Sequence, residues 1–106
     1  MPGVDLNYFM RQASKLTEKL EQRKKELAEE TVEGQAGDGR VKVVATAAGD
    51  VRTIKISPEV LQAGDVEMME DLIAAAVNAA LGQARELSER ELGKISGGLK
   101  IPGITG

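Results

Sequence analysis

Four cations carry the most regular chemical pattern in the chain. Arg11, Lys15, Lys19 and Arg23 recur every four residues, and Lys24 follows directly. On a helix such residues form one slowly drifting stripe about 18 Å long. Each protonated side chain can pair with a phosphate oxygen and displace a counterion. A solvated helix face is the competing reading, since charge runs are common on helices and Glu18 and Glu21 lie among the cations.

Other chemistries find little material. The 106 residues include no His and no Cys. That removes imidazole and thiolate metal ligands, disulfides, Cys nucleophiles and His-dependent dyads. The run from Gly34 to Gly39 lacks the Gly-Lys-Ser/Thr ending of a phosphate loop and leads into a strand, so a hairpin turn is expected. Glu67, Glu70 and Asp71 lack the spaced oxygen ligands of a calcium loop; their place in the first turns of a helix is accounted for by the helix dipole. No cofactor, metal or small-molecule substrate is expected. With one Tyr and one Phe, stacking on single-stranded bases is poorly supplied.

Three kinds of element must position the stripe. The spacing predicts a long helix over residues 5–30, with Asp5 as N-cap and a heptad seam at Leu6, Phe9, Ala13, Leu16, Leu20 and Leu27, broken where Arg23 takes an apolar slot. Residues 31–56 change period. Thr31-Val32-Glu33, Arg40–Thr46 and Val51–Ile56 read as three strands, joined by turns at Gly34–Gly39 and at Gly49-Asp50. Turn-linked neighbours predict an antiparallel meander. Ser57-Pro58 can start one helical turn, and Asp65 caps a second long helix over about 66–95. That helix has two apolar faces. Met69, Ile73, Ala76, Ala80 and Leu87 make one; Val77, Leu81, Ala84, Leu92 and Ile95 make the other. Asn78 stands among alanines, where a polar residue fixing register and an ordinary interface amide are both open. The fold class is α+β: long helix, three-stranded antiparallel sheet, long helix. A single domain over 1–96 precedes a Gly/Pro tail at 97–106. So small a sheet cannot cover both helices, which implies a homodimer.

Charge is unevenly spread. The net charge of −3 hides a local +4 over residues 11–25 and five acids with no base over residues 58–71. The second helix is nearly balanced, with Arg85, Arg90 and Lys94 beside Glu86, Glu89 and Glu91. Local charge governs the surface field within a Debye length of about 10 Å. The start MPGVDLNYFM lacks a basic, apolar leader, and no run approaches the roughly 18 apolar residues of a membrane span, so a cytoplasmic location is expected.

Several strings fall in a familiar order: Gly37-Asp38-Gly39-Arg40-Val41-Lys42-Val43, Ile54-Lys55-Ile56-Ser57-Pro58-Glu59, Met69 through Ala80, and Gly97-Gly98-Leu99-Lys100-Ile101-Pro102-Gly103. In this the chain resembles the YbaB/EbfC family of bacterial nucleoid-associated proteins over nearly its whole length. The resemblance implies a tweezer-shaped homodimer that binds duplex DNA in the nucleoid and is not an enzyme. It also implies that basic residues of the two long helices make the contacts: Arg11, Lys15, Lys19, Arg23 and Lys24, with Arg85, Arg90 and Lys94 second. Binding through phosphates, with a compacting, bridging or regulatory role, is the resulting expectation. A helical adaptor that binds other proteins through its seam, without DNA affinity, is the alternative.

Overall fold

A computed structural model describes residues 5–97; the Gly/Pro tail from residue 98 onward lies outside the described residues. The elements run α1 (Leu6–Leu27), β1 (Thr31–Ala36), β2 (Val41–Thr46), β3 (Val51–Ile56), α2 (Pro58–Ala63) and α3 (Val66–Ser96). The strands form one antiparallel meander in the order β1-β2-β3.

Both helix starts follow the sequence. Asp5 accepts a hydrogen bond from the Tyr8 N–H (3.2 Å), and Asp65 accepts one from the Met68 N–H (3.0 Å). α1 stops at Leu27, three residues short of the expected end. The Ala47 N–H donates to the Glu30 carbonyl at 2.8 Å, so the sheet captures backbone that the helix would otherwise use. Beyond it, β-branched Thr31 and Val32 favour strand.

The glycine-rich run predicts a turn beginning at Gly34. Instead β1 continues to Ala36, with Gly34 opposite Val43. The cause is the helix above it. A Cβ on Gly34 would lie 2.2 Å from the Ala80 nitrogen and 2.6 Å from the Ala76 carbonyl oxygen. Only glycine lets β1 pass so near the α3 backbone. The turn itself is Gly37-Asp38-Gly39, all at positive φ (61°, 56° and 84°), closed by Arg40 N–H to the Gly37 carbonyl.

The core lies between α3 and one sheet face. Val41, Val43 and Ala45 of β2 meet Ala76 and Ala80 of α3, and all five are fully buried. Ala84 continues this stripe beside the β2–β3 turn rather than joining the opposite face with Val77 and Leu81. Small residues every four positions let the helix lie close on the strands. α3 covers β1 and β2 but barely reaches β3. Val51 and Ile54 of β3 therefore stay exposed, although Ile54 pairs with the buried Val43. A register shift at Val44/Ala45 leaves Arg52 as the extra residue of a bulge.

The result is elongated, 76 × 27 × 16 Å, with a radius of gyration of 20.4 Å where a compact domain of this length has about 13 Å. The sheet and the first half of α3 form a head. α1 and the second half of α3 form an arm.

Candidate nucleic-acid interface

The arm follows from the heptad seam. Leu16, Leu20 and Leu27 are the α1 leucines withdrawn from solvent, and α1 lies antiparallel on the C-terminal half of α3. Antiparallel packing is fixed by two pairings: Arg23 meets Glu91, while Leu16 and Lys19 sit by Ile95. N-terminal to Leu16 the seam has no described partner, and Leu6, Phe9 and Met10 are exposed. An open groove lined by Phe9, Gln12, Ala13, Lys15, Leu16, Lys19 and Ile95 marks where α3 gives out.

Arg11, Lys15 and Lys19 are all exposed, along the flank of this seam. Among the described residues none has a carboxylate within ion-pair distance. Arg23, the fourth member, departs from them. Each four-residue step overshoots a helical turn by about 40°, so by Arg23 the stripe has rotated about 120° from Arg11. That rotation carries its guanidinium inward, to 20% exposure. There Nη1 binds Glu26 at 3.0 Å and Glu30, and Nη2 binds Glu91 at 2.7 Å. Glu91 is itself only 17% exposed, and its other oxygen accepts from Lys94 Nζ at 2.6 Å. These bonds, first from Lys94 and then from Arg23, hold the Glu91 carboxyl down at about 2, while Glu30 and then Glu91 raise the Arg23 guanidinium further above its already high value.

The remaining cations are distributed less favourably. Lys24 is exposed but lies in the last turn of α1, where a cation complements the helix dipole. Arg85 stands beside the β2–β3 turn, Arg90 is exposed, and Lys94 is the partner of Glu91. Arg85 and Arg90 are rotated by about 140° from one another and share no stripe. The structure thus groups Arg11, Lys15 and Lys19 and engages Arg23 and Lys94 elsewhere. The cross-helix pair could have been suspected from one signal. An arginine in an apolar seam slot needs a carboxylate from the facing helix.

The acidic stretch sits at the other extreme. Asp65 caps α3 and Glu67 occupies its first turn, while Lys94 is in its last. Those ends are about 43 Å apart, several Debye lengths. Among the described residues no group of three or more acidic side chains could hold a metal ion, and no helix is long and apolar enough to cross a membrane.

Comparison with known proteins assigns this architecture to a family. The model of the YbaB/EbfC DNA-binding family matches residues 1–99. The chain belongs to that family. A protein of Myxococcus xanthus named nucleoid-associated protein is 65% identical over 105 residues, covering 99% of this chain and all of that one. A nucleoid-associated protein of Acetivibrio thermocellus is 48% identical, covering 96% of this chain and 91% of that one. The crystal structure of an uncharacterized protein of Helicobacter pylori shares the fold, with a TM-score of 0.76 at 16% identity over 88% of this chain and 98% of that one. These are the names of a DNA-binding family and its relatives, not of an enzyme.

Proposed function

We propose that this chain acts in the bacterial nucleoid as a homodimer that binds duplex DNA through its phosphates. Arg11, Lys15 and Lys19 are the principal contacts; Lys24, Arg85 and Arg90 are secondary. The observation that carries the reading is the set of three exposed cations in one line, free of described carboxylate partners, on a helix that projects from the head. Phosphate pairing needs charge and reach, not base recognition, and no helix-turn-helix or zinc module is present in the sequence. Binding of that kind suits compaction, bridging or local regulation. The dimer is supported by the thin protomer and by the exposed apolar side chains Val51 and Ile54 on the edge strand β3, with Leu61 and Val66 exposed in the elements that follow it. Two arms then act on one duplex, and the second engagement gains from effective concentration.

The adaptor alternative draws on the exposed Leu6, Phe9 and Met10 at the arm tip. One experiment separates the two. Binding of a short duplex is measured across a salt series for the parent and for Arg11→Gln/Lys15→Gln/Lys19→Gln, with sedimentation confirming oligomeric state. Three lost contacts per protomer lower the slope of log affinity against log salt by about 0.9 each. Absence of binding by the parent at low salt would overturn the DNA reading and leave the adaptor.

A further inference from the structure

Arg23 belongs by spacing to the phosphate stripe, yet it occupies the seam slot between Leu20 and Leu27. Among the described residues, Arg23–Glu91 is the one ion pair that crosses from α1 to α3. Glu26 and Glu30 hold the guanidinium from its own side, and Lys94 holds Glu91 from the other. Both charges of the pair are thus saturated and mostly withdrawn from solvent. The apolar seam around them is short, and leucines at heptad spacing tolerate a slip or a roll. A single polar pair in such a seam specifies register, because any other alignment strands a half-buried charge.

We infer that Arg23 and Glu91 are a positioning pair that sets α1 on α3 and so aims the Arg11, Lys15 and Lys19 stripe, and that Arg23 is not itself a phosphate contact. The inference rests on the DNA-binding reading above. The lever is long. Arg11 lies twelve residues from Arg23, about 18 Å along the helix, so a 10° tilt at the pair displaces its Cα by about 3 Å. That displacement is comparable to a whole hydrogen-bond length.

The test uses Arg23→Met, Glu91→Met and the double variant. The double variant keeps the net charge and fills the slot with apolar side chains of similar volume. The chain has no cysteine, so Ser14→Cys and Gln83→Cys, both at exposed positions, carry unique spin labels. Doubly labelled protein diluted into excess unlabelled protein reports the distance from α1 to α3 within one protomer. Each single variant is expected to broaden that distance distribution and to weaken duplex binding by about fivefold or more. The double variant is expected to restore the narrow distribution and an affinity within about twofold of the parent, with the salt slope unchanged. A double variant that stays weak, with its slope reduced by about 0.9 per protomer, would make Arg23 a phosphate contact and overturn the inference. Single variants indistinguishable from the parent in both readouts would overturn it as well. If the parent binds no DNA, the DNA reading fails, and the label distances still decide whether the pair positions α1. Should Glu91→Met not fold, Glu91→Gln removes the charge while keeping the shape.

Discussion

Gly34→Ala tests how α3 is seated on the sheet. The added Cβ would lie 2.2, 2.6 and 2.7 Å from the Ala80 nitrogen, the Ala76 carbonyl oxygen and the Ala80 Cα. All three are backbone atoms, so no rotamer change relieves them. Ordinary contact begins near 3.4 Å, so helix and strand must separate by about 1 Å where they cross. A gap of 0.5–1 Å already forfeits roughly a quarter to a half of each dispersion well. Here it would open between Val41, Val43 and Ala45 on one side and Ala76 and Ala80 on the other, which is the whole buried cluster. We therefore expect a cost at the top of the overpacking range, about 3 kcal/mol. Urea unfolding at fixed protein concentration checks it. With a slope of about 1–1.5 kcal/mol/M, the midpoint should fall by about 2–3 M. A second variant sharpens the reasoning. Adding Ala80→Gly removes a methyl but none of the clashing atoms, so it should rescue nothing. A midpoint within about 0.5 M of the parent, or recovery of most of the loss by Ala80→Gly, would refute the close-approach account.

Two further expectations follow from polar contacts. Glu91 is held at about 2, below its ordinary 4.5. Its folded value lies under its unfolded one, so the stabilisation is complete above about pH 4.5 and is lost as pH falls towards about 2. Melting temperatures of the parent and Glu91→Gln, taken from pH 7 to pH 2, should differ by a constant amount at the upper end and converge at the lower; a difference that grows on acidification would contradict the assignment. Ser88 Oγ donates to the Ala47 carbonyl at 2.6 Å, tying α3 to the turn whose own N–H holds Glu30. Ser88→Ala should cost about 1–3 kcal/mol and raise amide exchange in the β2–β3 turn, and a loss-free substitution would show that bond to be incidental.

Local signals in the sequence are enough for the elements and not for their mutual seating. Asp5 and Asp65 act within their own first turns, so both caps are legible. The strand at Val51–Ile56 is legible for the same reason, but the bulge at Arg52 that interrupts its alternation is not. That Val51 and Ile54 would be left open is not, because it depends on which strands α3 can span. Gly34 is the clearest case. Beside Gly37 and Gly39 it reads as turn, and only α3, more than forty residues away, makes it strand. The placement of Arg23 is equally hidden. Its spacing places it in the stripe, while its partner Glu91 is 68 residues distant. Arg11, Lys15 and Lys19 have no such distant partner among the described residues, and they stand as the spacing alone suggests.

On the proposed reading, the division into head and arm accounts for how an acidic chain can meet a polyanion. Residues 28–83, which include the sheet, α2 and the first half of α3, carry ten acids and four bases. α1 carries six bases and three acids, and the facing stretch of α3 is balanced. The net −3 therefore describes neither part. Because the acids at the start of α3 lie several Debye lengths from its far end, a duplex near the tip of the arm meets mainly the field of the arm. The head repels it. On the proposed reading this repulsion is useful, since it confines the duplex to the projecting helices and keeps it off the sheet edge where a second protomer would dock. Neutralising head acids such as Glu67 and Glu70 should then broaden where DNA can bind more than it strengthens binding at the arm.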